Sequence, residues 1–366
     1  MPTAPSPSSD PSPSRSRRRR LAVQGGKLAL LGLALWLAWD LLRDLAWDDL
    51  AARFEAASRP WLAAALGALA LRFVIWDERW RRAIRRVGPL PPRWLSLSSL
   101  LAAAAVNSVT PTARVLGGVV RARHLSRALG EPMGRAYGSV LYDQLAHQVV
   151  VGGVTWLSVI AAAAVSGRPR LAAALAAALA LAVGAFVLWL RRRRPGNGDG
   201  TLARWLADRV AGRDGGEENG GETGRLRRLM SHGKEAVGVV RRLLADGRLG
   251  AEAVVLGVAF FVVNASAQWM VFEALGAEVG FTVVLAVVAL GAMAGVAVGT
   301  PGGVGGAEAA MIASFTAFGV GPLDAAAGSL LFRAFHFASI LALGAPSLVW
   351  LEMRFGREPE PQSRET

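Results

Sequence analysis

The sequence contains no cysteine and only four histidines in 366 residues. Without cysteine there can be no disulfide framework, cysteine-ligated zinc cluster or thiol nucleophile. The Gly-x-x-x-x-Gly-Lys-Ser/Thr motif of nucleotide-binding loops is also absent. We therefore expect no metal and no cofactor, since the histidines are too scattered to form a ligand set: His124, His147, His232 and His336.

Apolar residues are abundant instead, at 53% of the chain. Several runs reach the roughly 20 residues that a helix needs to cross a bilayer core of about 30 Å. The sequence thus predicts an all-α, polytopic transmembrane helix bundle. Its membrane segments are predicted at 26–42, 60–76, 94–110, 136–166, 171–190, 251–275, 281–299, 304–320 and 324–351.

The net charge of +14 does not indicate nucleic-acid binding, because the arginines lie at the ends of the apolar runs. Arginine-rich loops stay in the cytoplasm and face anionic headgroups. This rule predicts a multi-pass inner (plasma) membrane protein with a cytoplasmic N-terminus. The short turn at 167–170 fits its outside position poorly. The other loops agree: 15–20, 77–93 and 191–250 are basic, and 40–59 and 273–281 are net acidic.

The chain divides by composition. Residues 1–20, rich in Pro, Ser and Arg, predict a disordered basic tail; the alternative is a cleaved signal peptide, but no small-residue cleavage site clearly follows. An insert rich in Arg and Gly has a flexible centre and amphipathic flanks, such as 225–245, that are expected on the membrane surface. The predicted units are 21–190 (N-terminal membrane half), 191–250 (cytoplasmic insert), 251–352 (C-terminal membrane half) and 353–366 (tail).

Residues 94–130 are predicted to enter the membrane and return to the same side. A complete crossing would place Arg114 and Arg121 outside, together with Arg123 and Arg127. A helix break lies between the two arms, at Asn107, Ser108, Thr110 and Pro111, and Gly117-Gly118 follow. Irregular backbone at membrane depth is tolerated where protein or water surrounds it.

The second half repeats this pattern at 281–320. Thr110-Pro111 is matched by Thr300-Pro301, and thirty-three residues after each threonine (110 to 143 and 300 to 333) stand Asp143 and Arg333. The two copies begin on opposite sides of the membrane, which predicts an inverted repeat with two re-entrant broken-helix elements. Helix N-termini that meet near the midplane suit an anion such as a phosphate or carboxylate headgroup.

The residues PGGVGGAEAAMIASFTAFGV (301–320) and LLFRAFHF (330–337) resemble the second signature of the lysylphosphatidylglycerol synthase/flippase-like transmembrane family. PTARVLGGVVRARHL (111–125) is similar to its first signature. The resemblance implies a membrane domain that translocates lipids with modified headgroups or polyprenyl-linked lipids, with relatives in hopanoid and glycolipid gene contexts. Full-length synthases carry a cytosolic acyltransferase-like domain after the membrane part. Because this chain stops about 15 residues after its last span, synthase activity is not expected. The sequence departs from the expected pattern at one position. A basic residue is expected directly after the acid of the 136–166 helix, but here Gln144 follows Asp143.

Ionisable and polar residues inside the spans are the candidate site, because such residues are costly in a membrane and face a cavity or a partner. One hypothesis is that Arg333 holds a lipid phosphate and Asp143 balances it; the alternative is a structural Asp143–Arg333 pair. The glycines and Glu308 either receive the headgroup or serve packing and helix capping. The candidate substrate-binding residues are Arg114, Arg121, Asp143, His147, Asn264, Gln268, Gly302, Gly303, Gly305, Gly306, Glu308, Arg333 and His336.

The leading hypothesis is a lipid translocator for a phospholipid or a polyprenyl- or hopanoid-type lipid. The expected partners are membrane lipids with an anionic or isoprenoid headgroup, and no nucleic acid; the sequence leaves homo-oligomerisation undecided. One alternative is an intramembrane lipid-modifying transferase, for which Asp143 and His147 are the candidates. Another is a non-catalytic membrane partner of a lipid or envelope biosynthesis complex.

Overall fold

The computed structural model describes residues 47–110, 115–165, 222–298 and 300–355, with scattered positions between 170 and 181. Its continuous stretches are helical, which confirms the predicted all-α class. The helices are α1 (Trp47–Glu55), α2 (Arg59–Arg85), α3 (Arg93–Val109), α4 (Val115–Leu129), α5 (Met133–Val165), α6 (Glu222–Ala245), α7 (Gly247–Ala274), α8 (Phe281–Val298), α9 (Gly306–Ala317) and α10 (Pro322–Phe355).

Four helices are long and apolar enough to cross a membrane: α2, α7, α10 and the Met133–Ala161 part of α5. A shorter apolar stretch, Phe281–Gly295, lies in α8. These lengths support a multi-pass membrane protein. The predicted segment 26–42, most of 171–190, both tails and the centre of the insert lie outside the described residues.

Helices α2 and α7 form an antiparallel pair that is joined at both ends. At one end the backbone N–H of Ser58 donates to the Ala274 carbonyl at 2.8 Å. At the other end Arg86 Nε donates to Asp246 Oδ2 at 2.7 Å, and the other carboxylate oxygen caps α7 by accepting from the Leu249 N–H at 3.0 Å. The Leu249 N–H and the Arg86 guanidinium hold the pKa of Asp246 below its usual value. These contacts set the register of α2 against α7.

Two pairs of shorter helices, α3 with α4 and α8 with α9, lie between the long helices along the chain. α3 ends at Val109 and packs against α4, and α8 packs against α9 after a 3₁₀ turn at Pro301–Gly303. In chain order, a long helix, a broken pair and a long helix occur as α2 to α5 and again as α7 to α10. The two predicted breaks are therefore present. Re-entry into the membrane and the inverted relation between the halves remain predictions.

The amphipathic part of the insert forms α6, which packs against α5. Ala236, Val239 and Leu243 are buried. The crossing is close at Gly138 of α5, where a Cβ atom would lie 2.6 Å from Val239 Cβ. One face of α6 is thus bound to the bundle; contact of its exposed face with a membrane surface remains a prediction.

Replacement of Gly328 by alanine is expected to lower the stability of the bundle by about 1–3 kcal/mol, because the added methyl overpacks the core. A Cβ at Gly328 would overlap the ring of Phe272, which is fully buried and packs edge-on against Phe315 at 4.8 Å. The check is the melting temperature of the detergent-purified variant. Gly67→Ala on α2 is the matched control, since nothing lies within 4 Å of its Cβ position. Equal melting temperatures for the two variants would contradict this account of the packing.

Candidate functional site

Arg333 lies on α10 and is held by the start of α9. Its Nε donates to Glu308 Oε1 at 2.6 Å, and its Nη2 donates to the Gly302 carbonyl at 2.8 Å. The second Glu308 oxygen accepts from the backbone N–H of Gly305 at 2.7 Å. Glu308 therefore caps α9, which is one of the two roles that the sequence suggested, and it is also the ionic partner of Arg333, which the sequence did not suggest.

The loop at residues 300–305, here called the glycine loop, is tightly enclosed. Gly302 has φ of 59°, which L side chains rarely adopt. A Cβ there would also lie 2.5 Å from the Phe337 ring. Glycine at this position lets the Gly302 carbonyl reach the Arg333 guanidinium, which in turn lies 4.6 Å from the centre of the Phe337 ring.

Gly303 and Gly305 also have positive φ angles, and Gly306 opens α9. A Cβ at Gly303 would lie 3.0 Å from the Gly295 Cα, so the glycine loop packs directly on α8. Close packing thus explains Gly303 without any ligand.

The two helix breaks meet in space. A Cβ at Gly302 would lie 3.3 Å from the carbonyl oxygen of Ser108, one residue before α3 ends at Val109. Asn107 Oδ1 accepts from the backbone N–H of Gly117 at 3.0 Å and so ties α4 to α3 across the first break. The glycine loop therefore contacts the end of α3 at the first break.

A second guanidinium, that of Arg72 on α2, is buried and lies beside this meeting point. Arg72 is only 2% exposed, and its Nη1 contacts Asn264 Oδ1 and His336 Nδ1, each at 2.7 Å. Its Nη2 has a longer contact of 3.5 Å with Ser339 Oγ. All three partners are side chains that can accept from Arg72 while uncharged. Arg333 lies close enough for the two positive charges to repel.

Asp143 forms the centre of a third polar cluster, between α2, α4 and α5. Its Oδ1 accepts from Arg79 Nε at 2.8 Å. Its Oδ2 accepts from Arg121 Nη1 at 3.0 Å and from Trp76 Nε1 at 2.9 Å. Asp143 is 1% exposed, and Arg79 and Arg121 are each 2% exposed. One carboxylate is thus shared by two buried guanidiniums.

His147, one turn from Asp143, lies among aromatic rings. It stacks on Trp76 with ring centres 6.2 Å apart and contacts Phe260 at 5.5 Å and Phe261 at 6.3 Å. Gln268 is fully buried on another part of α7, where its Nε2 lies 3.8 Å from the sulfur of Met311. Among the described residues no group of three or more His, Asp or Glu side chains is arranged to hold a metal ion.

Residues 26–344 match the family described as the lysylphosphatidylglycerol synthase TM region. The match covers most of the chain. The chain belongs to this family. A curated relative, a UPF0104 membrane protein of Methanothermobacter thermautotrophicus, is 25% identical over 298 residues, which are 77% of this chain and 84% of the relative. The predicted resemblance is confirmed.

In this member of the lysylphosphatidylglycerol synthase TM family, the structure groups the candidate residues by partner. Asn264, Gly302, Gly303, Gly305, Gly306, Glu308, Arg333 and His336 belong to the region around the glycine loop, and Arg121, Asp143 and His147 belong to the Asp143 cluster. Gln268 is separate, and Arg114 lies outside the described residues. The proposed direct Asp143–Arg333 pair is not formed: Asp143 pairs with Arg79 and Arg121, and Arg333 pairs with Glu308. Substrate binding by these residues remains a prediction.

Sequence analysis missed Arg72, Trp76 and Arg79 as part of the site. The sequence assigns the arginines at 79–86 to a cytoplasmic loop, and Arg72 lies within an apolar run that hides its role. The available signal was their spacing of four and then three residues, which places all three on one helix face. Arg72 also stands inside a predicted span, where a charge indicates a functional site or a buried partner.

Proposed function

We propose that this protein is a lipid translocator, which moves a lipid with a phosphate-containing headgroup between the two leaflets. The observation that supports this most is the pair Arg72 and Arg333. Among the described residues, the buried Arg72 and the largely buried Arg333, whose side chain is 11% exposed, have one carboxylate as a partner, that of Glu308, at the place where the two helix breaks meet.

A buried positive charge without a carboxylate is costly, by several kcal/mol for each ion. Within the described residues, Arg72 has neutral partners and no acid. A bound phosphate diester supplies the missing negative charge and accepts two hydrogen bonds from each planar guanidinium. The positive charge of the site is therefore better balanced when an anionic headgroup is bound than when the site is empty.

The position of the site also suits transport. α10 carries Arg333 about one third of the way along its length; its start pairs with α1 through Asp324 and Arg53, and its end pairs with α4 through Glu352 and Arg123. At 1.5 Å per residue, Arg333 lies roughly 16 Å from the start of α10 and roughly 33 Å from its end, so the site lies inside the bundle and not at either end. We propose that the two broken pairs open the site in turn to opposite membrane faces, as in alternating-access transporters with inverted repeats.

We propose further that the lipid is a phospholipid or a polyprenyl- or hopanoid-type lipid whose tails remain in the bilayer. Dragging a charged headgroup through hydrocarbon without help costs many kcal/mol, and fixed guanidinium and amide groups offset that cost. Binding and release need no bond-making step, so we propose a transporter rather than an enzyme. We place it in the inner (plasma) membrane with a cytoplasmic N-terminus, according to its arginine-rich loops.

The test is reconstitution into liposomes that contain a fluorescent phospholipid, with dithionite reporting the label that reaches the outer leaflet. Arg72→Gln is expected to slow protein-dependent translocation roughly ten- to hundredfold, since charge-assisted hydrogen bonds contribute about 1.5–3 kcal/mol. Arg82→Gln is the matched control on the same helix, because the Arg82 side chain is 35% exposed and already forms an ion pair with Glu78.

Deletion of insert residues 195–221 is expected to leave translocation intact, which separates transport from a docking role of the insert. If no lipid moves with wild-type protein in phosphatidylglycerol, polyprenyl phosphate or hopanoid liposomes, the translocator proposal fails. Equal loss in Arg72→Gln and Arg82→Gln would also contradict it.

A further inference from the structure

The Asp143 cluster holds more hydrogen-bond donors than it uses. Arg79 donates to Asp143 only through its Nε–H, and Arg121 donates only through one Nη1–H, so neither arginine forms a bidentate ion pair. The remaining nitrogens are buried, and among the described residues they have no hydrogen-bond partner: Arg79 Nη1 and Nη2, and Arg121 Nε and Nη2. Unsatisfied buried donors of charged groups are costly and call for a partner.

The charge of the cluster is also unbalanced. Arg79 and Arg121 contribute two positive charges against the single negative charge of Asp143. The other buried acid nearby, Asp77, hydrogen-bonds to Ser96. Asp77 lies close enough to both Arg81 and Arg121 for its charge to act on each, and Ser96 also accepts from Arg81 at 2.9 Å. Arg79, Arg81 and Arg121 thus face two acids, Asp143 and Asp77, so one positive charge is left over.

The geometry of the two arginines is fixed from several sides. The Arg121 guanidinium lies 4.0 Å from the centre of the Trp80 ring and 5.7 Å from that of Trp76. Asp143 holds one edge of each guanidinium, which leaves the other edges for a ligand. A tetrahedral oxyanion suits this pair of guanidiniums, because its oxygens can accept hydrogen bonds from both of them at once.

This cluster is distinct from the Arg72–Arg333 site. Arg72 and Arg79 are seven residues apart on α2, a separation of roughly 10 Å at 1.5 Å per residue. Trp76 stands between them and donates to Asp143. Two phosphorus atoms of one diphosphate lie far closer than this, so one headgroup does not fill both places.

We propose that Arg79 and Arg121 form a second anion site, which binds the phosphate of a lipid headgroup on the arginine-rich side of Trp76. The headgroup occupies this site before it moves past Trp76 to Arg72 and Arg333. The order of occupancy rests on the translocator function proposed above; the existence of the site does not. Asp143 keeps the two guanidiniums in position when the site is empty.

The experiment is isothermal titration calorimetry of the full chain in neutral detergent with soluble short-chain phosphatidylglycerol. Two binding events are expected for the wild type. Arg79→Gln is expected to weaken one event roughly tenfold or more and leave the other unchanged. This variant should fold, because Arg121 still neutralises Asp143. Arg72→Gln is expected to remove the other event, and Arg82→Gln is expected to remove neither.

Titration with inorganic phosphate distinguishes a lipid ligand from a free ion. Lipid binding that is clearly tighter than phosphate binding supports the lipid assignment, and equal affinities overturn it. If Arg79→Gln and Arg121→Gln both keep every binding event at its wild-type affinity, the second site does not exist, even if Arg72→Gln loses its event. If only the Arg72→Gln titration is unchanged, the second site stands and the Arg72–Arg333 binding site fails.

Discussion

Asp143→Asn is expected to destabilise the folded protein by about 3–5 kcal/mol, the usual cost of leaving a buried ion without its partner. Asp143 is 1% exposed and is the acceptor for Arg79, Arg121 and Trp76. Asparagine keeps the shape and one acceptor oxygen but removes the negative charge. Two buried guanidiniums, those of Arg79 and Arg121, then lose the carboxylate that they share. The measurement is the melting temperature and the monodisperse yield in neutral detergent.

Asp324→Asn is the matched control, because Asp324 also pairs with an arginine, Arg53, but its side chain is 28% exposed. Ion pairs that water screens contribute little, so a small change is expected there. Adding Arg121→Gln to Asp143→Asn is expected to restore part of the lost stability, since one of the two uncompensated charges is removed. Wild-type stability of Asp143→Asn alone would show that the cluster is not ionic.

The helices were predictable because their signals are local. The segments predicted at 94–110 and 281–299 are the helices Arg93–Val109 and Phe281–Val298. Both follow from apolar runs that end at helix-breaking residues, Asn107 to Pro111 in one and Thr300-Pro301 in the other. A run of apolar residues bounded by such signals needs no knowledge of distant contacts.

The charge partners were not predictable in the same way. α2 continues to Arg85, nine residues past its predicted end at 76, and so carries Arg79 into the core instead of a loop. Asp143 and Arg333 stand at matching positions of the predicted repeat, which suggested that they pair. Instead Asp143 pairs with arginines on α2 and α4, and Arg333 pairs with Glu308 on α9. Which buried charges meet depends on how helices rotate and pack, and one sequence does not contain that information.

In the proposed Arg72–Arg333 anion site, the position of Glu308 is expected to set the strength of binding. It bonds to Arg333 at 2.6 Å with a side chain 13% exposed, and so occupies the guanidinium edge that a phosphate would use. An incoming headgroup must therefore compete with a carboxylate that is already in place. Such competition favours release as much as binding, which a transporter needs because a ligand held too tightly cannot leave.

Glu308→Gln is accordingly expected to tighten binding of phosphatidylglycerol at this site by roughly ten- to hundredfold, since a charge-assisted bond of about 1.5–3 kcal/mol no longer competes. Translocation is expected to slow at the same time, because release becomes limiting. Glutamine still accepts the Gly305 N–H, so the cap of α9 is kept. Titration calorimetry and the liposome assay measure the two effects on the same preparation.

Glu308→Ala separates the charge from the cap. It removes the acid and also the cap, so lower thermal stability than in Glu308→Gln is expected, with similarly tight lipid binding in the protein that remains folded. Arg333→Gln is the opposite case and is expected to lose binding. If Glu308→Gln instead weakens lipid binding as Arg333→Gln does, then Glu308 positions the arginine for the headgroup and does not compete with it.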